Sequence, residues 1–83
     1  MTDRLFAPRV RWVCRRGMKE VEEVLLPFFE AEYAQMTVDE QTQFADLLEC
    51  SDPDLFTWLI QHATPEANTH RAMVARILAF THA

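Results

Sequence analysis

The stretch that separates the first two helical patterns of this chain is RRGMKE, residues 15–20. Gly17 is the only glycine among 83 residues, so every other turn forms without one. Glycine permits a positive φ angle and the close approach of another backbone. We predict that Gly17 ends the first helix in the left-handed conformation common after a helix C-terminus. Because cations precede it and the carboxylate of Glu20 follows, we expect this stretch to be the functional surface.

Helical periodicity continues on both sides of Gly17. Pro8 fits the first turn of a helix reaching Arg16, where the missing proline N–H costs nothing. A second helix is predicted from about Met18 to Tyr33, and Pro27 should bend or break it by removing one backbone hydrogen bond. The predicted buried faces contain Val10, Val13 and Cys14 in the first helix and Met18, Val21, Leu25, Phe28 and Phe29 in the second, whereas Glu22, Glu23 and Glu30 face outward.

Two further helix starts have clear capping signals. Thr37 with Glu40 three residues later is a capping box, in which each side chain accepts a hydrogen bond from a free backbone N–H. Ser51 or Asp52 is predicted to cap a fourth helix, with Pro53 in its first position.

The fifth helix is predicted to begin at Thr64 as cap, with Pro65 in the first turn. Phe56 is expected to be buried and Trp58 partly exposed, because Trp58 lies off the apolar stripe of its helix. No segment alternates with a period of two, so a sheet is not predicted. The fold class is therefore predicted to be all-α, a small compact five-helix bundle forming one domain over residues 1–83.

The net charge of −5 conceals a segregation of charge along the chain. Six of the eight cations lie in the first 19 residues, whereas residues 20–66 hold twelve acids and no lysine or arginine. The acidic body opposes phosphate binding by long-range repulsion, so we expect no nucleic-acid partner. A basic patch on an acidic protein is better suited to recognition of another protein surface.

The sequence contains no constellation typical of catalysis. One glycine cannot make a phosphate-binding loop, and Cys14 and Cys50 form no CxxC pair. His62, His70 and His82 fit no metal-binding motif, so we expect no catalytic residue, no metal site and no permanently held cofactor. Without a membrane-spanning run or a signal-peptide pattern, we expect a cytoplasmic protein with no membrane insertion.

Three segments together resemble a known family. They are RWVCRRGMKE at 11–20, LPFFE at 26–30 and LLECSDPDLFTWL at 47–59. In this order and spacing they are similar to the succinate dehydrogenase assembly factors, small flavinylation proteins whose Arg-Gly-x-x-Glu signature stands here at residues 16–20. The resemblance covers roughly residues 9–78 and also implies a five-helix bundle.

The resemblance implies a function that composition does not indicate. Members of this family bind the flavoprotein subunit of succinate dehydrogenase, and in bacteria that of fumarate reductase, and promote covalent attachment of FAD. The FAD belongs to that client, so this chain would hold no cofactor and, we expect, act as a monomer. The alternative, also attached to the family, is an antitoxin-like regulatory protein that binds a different protein target.

The family signature also implies a set of protein-binding residues. Gly17 would let the partner backbone come close, Arg16 would pair with a partner acid or carbonyl, and Glu20 would accept from partner N–H groups. The residues alone leave a second interpretation open, in which Gly17 is only a helix end and the charges offset helix dipoles. The complete set expected to bind protein is Arg16, Gly17, Met18, Glu20, Arg9, Trp12, Arg15, Asp52 and Asp54.

Overall fold

A computed structural model describes residues 4–83. Five α-helices follow one another, and no strand occurs in this range, which confirms the predicted all-α class. A short 3₁₀ turn, Tyr33–Gln35, directly follows the second helix. The helices are α1 (Ala7–Val13), α2 (Lys19–Glu32), α3 (Val38–Leu48), α4 (Asp52–Leu59) and α5 (Asn68–Thr81).

The core lies between α2 and the three helices that follow it. Helix α2 packs against α4 and α5, and α5 also packs against α3. The Phe28 ring lies at the centre, 5.6 Å from the Phe44 ring and 5.7 Å from that of Phe80. Burying one large apolar side chain of this kind stabilises the fold by roughly 1.5–3 kcal/mol. The largest fully buried side chains are Phe28, Phe44, Leu25, Leu47, Leu55, Leu59, Met73 and Ile77.

Both predicted capping signals are present. The Glu40 N–H donates to the Thr37 hydroxyl at 3.1 Å, and the Thr37 N–H donates to the Glu40 carboxylate at 2.9 Å. Ser51 caps α4 by accepting from the Asp54 N–H at 3.2 Å. Helix α4 begins at Asp52, one residue before the predicted start, so the Asp52 carboxylate is free to bind elsewhere.

The predicted start of the fifth helix is wrong. Helix α5 begins at Asn68, after Ala67, which makes no side-chain cap. The Arg71 guanidinium donates to the carbonyls of Pro65 at 3.2 Å and Glu66 at 2.9 Å. Those carbonyls are therefore satisfied by a side chain, and the segment remains a loop instead of joining the helix.

Two other local expectations need correction. Pro27 does not break α2, which is continuous from Lys19 to Glu32, and the alternative, a bend at Pro27, stays a prediction. Phe56 is only half-buried, although it packs against the core, while Trp58 is half-buried as expected. No helix within residues 4–83 combines the length and the apolar character needed to cross a membrane.

Candidate functional site

Helix α1 ends earlier than the sequence predicts. Its last residue is Val13, and the Cys14 N–H donates to the carbonyls of Val10 and Arg11 at 3.1 and 3.2 Å. Residues 14–18, named here the α1–α2 connection, then carry the chain to α2 without helical structure. Side chains of α2 and α4 form hydrogen bonds with this connection and hold it in place.

Arg16 anchors the α1–α2 connection inside the protein. Its Nε donates to Oδ1 of Asp52 at 2.7 Å, and the two side chains are only 14% and 27% exposed. The same guanidinium donates to three backbone carbonyls, at distances of 2.9–3.1 Å, on Val13, Leu48 and Cys50. A planar guanidinium suits this arrangement because its donors are fixed in a fork. Arg16 therefore holds α1 against the end of α3 and the start of α4.

Gly17 does not adopt the predicted left-handed conformation. No glycine has a positive φ, so that prediction is wrong. Its N–H donates to Oδ2 of Asp52 at 3.2 Å, and a Cβ added here would lie 3.4 Å from the same oxygen. Both oxygens of one carboxylate thus bind the connection, which fixes its shape without a left-handed residue. The α carbon of Gly17 remains exposed.

Helix α2 contributes a second carboxylate that the sequence pattern placed on the outward face. Glu22 is half-buried, and its carboxylate accepts from the Arg16 N–H at 3.0 Å. Nothing in the spacing of the acids distinguishes Glu22 from its neighbours, because its acceptor role depends on how the connection folds back. Glu20, by contrast, is exposed and has no partner among the described residues.

The outer surface of α1 is apolar and exposed. Trp12 is 70% exposed and Phe6 62% exposed. Val13, which the periodicity placed in the core, is 36% exposed, whereas Val10 and Cys14 are buried as predicted. A helix this short covers only one narrow stripe, so its remaining apolar side chains face solvent.

Two cations beside these apolar groups lack a carboxylate partner among residues 4–83. The Arg15 guanidinium lies 5.6 Å from the centroid of the Trp12 ring, within the range of a cation–π contact. Arg9 is exposed one turn from Val13. Arg11, between them in sequence, is neutralised by Glu30 at 2.8 Å. Arg9, Arg15 and Trp12 are all exposed, and we refer to them together as the basic and aromatic surface.

The remaining predicted site residues have different surroundings. Met18 is half-buried and packs against the core. Asp54 is exposed in the first turn of α4. Asp52 is used inside the protein, as described. The structure therefore brings Arg16, Gly17 and Asp52 together and leaves Glu20 and Asp54 open to solvent.

The pKa values of both cysteine thiols are raised. Burial raises the pKa of the Cys14 thiol to about 12, and burial followed by the charge of Asp54 raises the pKa of Cys50. A raised thiol pKa disfavours the nucleophilic thiolate. Nε2 of His70 lies 3.5 Å from the sulfur of Cys50. No cluster of three potential metal ligands occurs in residues 4–83.

A sequence profile of the family described as the flavinator of succinate dehydrogenase matches residues 8–81. The chain belongs to this family. The match includes the whole α1–α2 connection, the two carboxylates that bind it, and all five helices except Ala7, the first residue of α1.

Individual relatives agree with the family match. The chain is 49% identical to an FAD assembly factor, SdhE, of Vibrio vulnificus over 71 residues, which are 86% of this chain and 83% of the relative. It is 47% identical to the FAD assembly factor SdhE of Aliivibrio fischeri, over 84% of this chain and 81% of that one. The solution structure of a UPF0350 protein superimposes with a TM-score of 0.72 at 43% identity, covering 98% of this chain and 85% of that protein.

Proposed function

We propose that this protein binds the flavoprotein subunit of succinate dehydrogenase during assembly and promotes covalent attachment of its FAD. Membership of the flavinator family and the similarity to FAD assembly factors support this proposal. The flavoprotein of fumarate reductase is proposed as a second client, because its covalent flavin presents the same task. On this proposal the protein acts as a monomer in the bacterial cytoplasm and carries out no chemistry of its own.

The observation that carries the proposal is that the residues of the Arg-Gly-x-x-Glu segment differ in their surroundings. Arg16 is anchored by four internal hydrogen bonds, whereas Gly17 and Glu20 are exposed beside it. We therefore assign Arg16 as a positioning residue, together with Asp52. Gly17 and Glu20 are assigned as contacts to the client, because the anchor presents them to solvent in a fixed arrangement.

The basic and aromatic surface on α1 extends the proposed contact area. Trp12 offers a large apolar surface, and aromatic and arginine side chains are common centres of binding energy at interfaces. Arg9 and Arg15 would steer an acidic region of the client toward it, since opposite charges raise association rates. Met18 and Asp54 are proposed as further contacts to the client.

The proposal assigns the flavin to the client. The two cavities described for this chain have volumes of about 120 and 130 Å³. Sites for drug-sized ligands are roughly 300–1,000 Å³, so neither cavity suits a dinucleotide. The contribution of this protein would be to hold the client in the arrangement where its reacting groups align, which alone can lower a barrier by several kcal/mol.

The decisive experiment measures covalent flavin on the flavoprotein subunit by in-gel fluorescence, with and without this protein. We expect Glu20→Ala to lower flavinylation strongly. Asp39→Ala is the matched control, because Asp39 is also an exposed acid in the first turn of a helix. Each change removes about 0.3–1 kcal/mol of helix-dipole stabilisation. Equal flavinylation by the two variants would reduce Glu20 to a helix-stabilising role.

A second variant tests the contact at Gly17 separately from folding. Gly17→Ala adds a methyl group at an exposed position with an ordinary φ angle, in normal contact distance of Asp52. We expect an unchanged melting temperature and reduced flavinylation, because the methyl group would obstruct close approach of the client backbone. Normal flavinylation in the absence of this protein would overturn the proposed function. Co-purification of this protein with an unrelated target, such as a toxin, and not with a flavoprotein subunit would overturn it as well.

A further inference from the structure

A shallow cavity of about 120 Å³ lies between α1 and the end of α3. Its volume is about four times the roughly 30 Å³ that a water molecule occupies in the liquid, so it can take one aliphatic side chain. We name it the α1–α3 cavity. The apolar part of its lining consists of Val10, Val13, Ala45 and Leu48.

Charged side chains border the α1–α3 cavity. Arg4 forms ion pairs with Asp46 and with Glu49, the latter at 2.9 Å, so these charges largely offset one another. Arg9 also borders the cavity and has no carboxylate partner among residues 4–83. The cavity therefore combines an apolar floor with one guanidinium whose charge is not offset.

Two residues that line the α1–α3 cavity are bound by Arg16 of the α1–α2 connection. The Arg16 guanidinium donates to the carbonyls of Val13 at 3.1 Å and Leu48 at 2.9 Å, and both residues line the cavity. The hydrogen bonds of the Arg16 guanidinium thus hold the two walls of the cavity together.

The surrounding surface favours insertion of an apolar group. Phe6, Arg9 and Val13 are spaced i, i+3 and i+7 and so lie along one side of α1. Phe6 and Val13 are among only four large apolar side chains that are strongly exposed in residues 4–83. Exposed apolar groups gathered beside a cavity mark an interaction site more than scattered ones do.

We propose that the α1–α3 cavity receives one aliphatic side chain of the client flavoprotein, next to a client carboxylate that binds Arg9. This inference rests on the proposed function and specifies the partner segment as an aliphatic residue adjacent to an acid. The guanidinium would bind the carboxylate through charge-assisted hydrogen bonds, while the apolar floor would exclude water from the neighbouring side chain. Arg16 would act on binding through the width of the cavity.

A second cavity offers a matched control. It is about 130 Å³ in volume and lies between α5 and the loop before it, with Val74, Ala75 and Leu78 among its lining residues. Its arginine, Arg71, is already bound to two loop carbonyls. The α1–α3 cavity has one alanine in its wall, Ala45, and the second cavity has two, Ala63 and Ala75, so each can be filled by an alanine-to-leucine substitution.

The test compares Ala45→Leu with Ala75→Leu in binding of the purified flavoprotein subunit by calorimetry. We expect Ala45→Leu to weaken binding at least tenfold, because the added side chain occupies the α1–α3 cavity, and Ala75→Leu to stay within twofold of wild type. Unchanged binding by a folded Ala45→Leu variant would overturn the proposal.

Arg9→Glu provides an independent variant, because Ala45 is largely buried and its enlargement could impair folding. Arg9 is exposed, so the fold should tolerate the change, and we expect binding to weaken at least tenfold and to lose part of its salt dependence. Wild-type affinity of Arg9→Glu would also overturn the proposal.

If wild type binds no flavoprotein, the proposed function itself fails. If wild type binds the flavoprotein and only Glu20→Ala disrupts binding, the proposal about the cavity fails and the proposed function stands.

Discussion

Two connections in this bundle, residues 14–18 and 60–67, are each held by one arginine, but in different ways. Arg16 secures the α1–α2 connection by reaching Leu48, Cys50 and Asp52, which lie 32 to 36 residues away. Arg71 secures the segment before α5 by binding carbonyls only five and six residues away. One arginine joins separate parts of the fold, whereas the other shapes its own loop.

The difference explains which connection can serve as a binding surface. An anchor to three distant residues holds Gly17 and Glu20 in fixed positions relative to α3 and α4. A local anchor gives a loop a shape but does not tie it to the rest of the bundle. Preorganised surfaces bind better because less freedom is lost on association. The proposed client contacts accordingly lie on the first connection.

The same comparison separates two backbone conformations. Gly17 has no positive φ, although glycine is the residue best suited to it, whereas His62 in the second connection has a φ of 63°. The left-handed conformation costs an L residue roughly 1–2 kcal/mol. The backbone strain thus lies in the locally anchored loop, and the connection proposed to bind the client is free of it.

The largest expected effect comes from removing the long-range anchor. Arg16→Lys keeps the charge but cannot bind Asp52 and three carbonyls at once, because an ammonium lacks the guanidinium fork. We expect the free energy of unfolding to fall by roughly 2–3 kcal/mol. Urea denaturation would measure this. Arg15→Lys is the control, since Arg15 is exposed, and a similarly small loss in both variants would contradict the anchoring role.

A smaller effect is expected from the local anchor. Arg71→Ala removes two hydrogen bonds to loop carbonyls that water can replace, so we expect a loss of about 1 kcal/mol in the same urea assay. Flavinylation should remain at the wild-type level. A loss as large as that of Arg16→Lys would show that the distinction between local and long-range anchoring is incorrect.

A change in the opposite direction is expected at His62. Glycine relieves the strain of a positive φ but adds freedom to the unfolded chain, so His62→Gly should raise the free energy of unfolding by about 0.5 kcal/mol. His82→Ala is the control because the two rings contact each other at 5.4 Å between centroids. If both variants lose stability equally, the ring contact matters more than the backbone strain.

The smallest effect concerns acid sensitivity at the start of α3. The Thr37 N–H, followed by Arg76, holds the pKa of Glu40 below its usual value. This contribution is therefore complete above the unfolded-state pKa and is lost as the pH falls through the lower folded-state pKa. Glu40→Gln keeps an acceptor for Thr37 but does not titrate. We expect its unfolding free energy to vary less than that of wild type between about pH 6 and pH 3.

Much of the fold could be predicted because its signals are local. The Thr37–Glu40 capping box and the Ser51 cap each depend on a few consecutive residues, and both are present. The apolar faces of α2 and α3 follow a period that one helix sets by itself. The start of α5 was wrong because a side chain of the helix, Arg71, competes for the carbonyls of the preceding loop.

The sequence proposes a location for the candidate site, but it does not indicate the roles of the residues within it. The sequence marked residues 15–20 by a lone glycine and a family signature, and the exposed positions of Glu20 and Trp12 agree with that location. It did not indicate that Arg16 faces inward, nor that Glu22 accepts from the Arg16 N–H. Both depend on groups from other parts of the chain.

By itself the sequence determined an all-α protein with an acidic body, a basic first segment and a single glycine between its first two helices. Only the tertiary structure decided which charges are used internally and which remain for a partner. The physical reason is the range of the interactions. Helix signals act over three or four residues, whereas the Asp52 carboxylate and the carbonyls of Leu48 and Cys50 reach Arg16 only after the helices have packed.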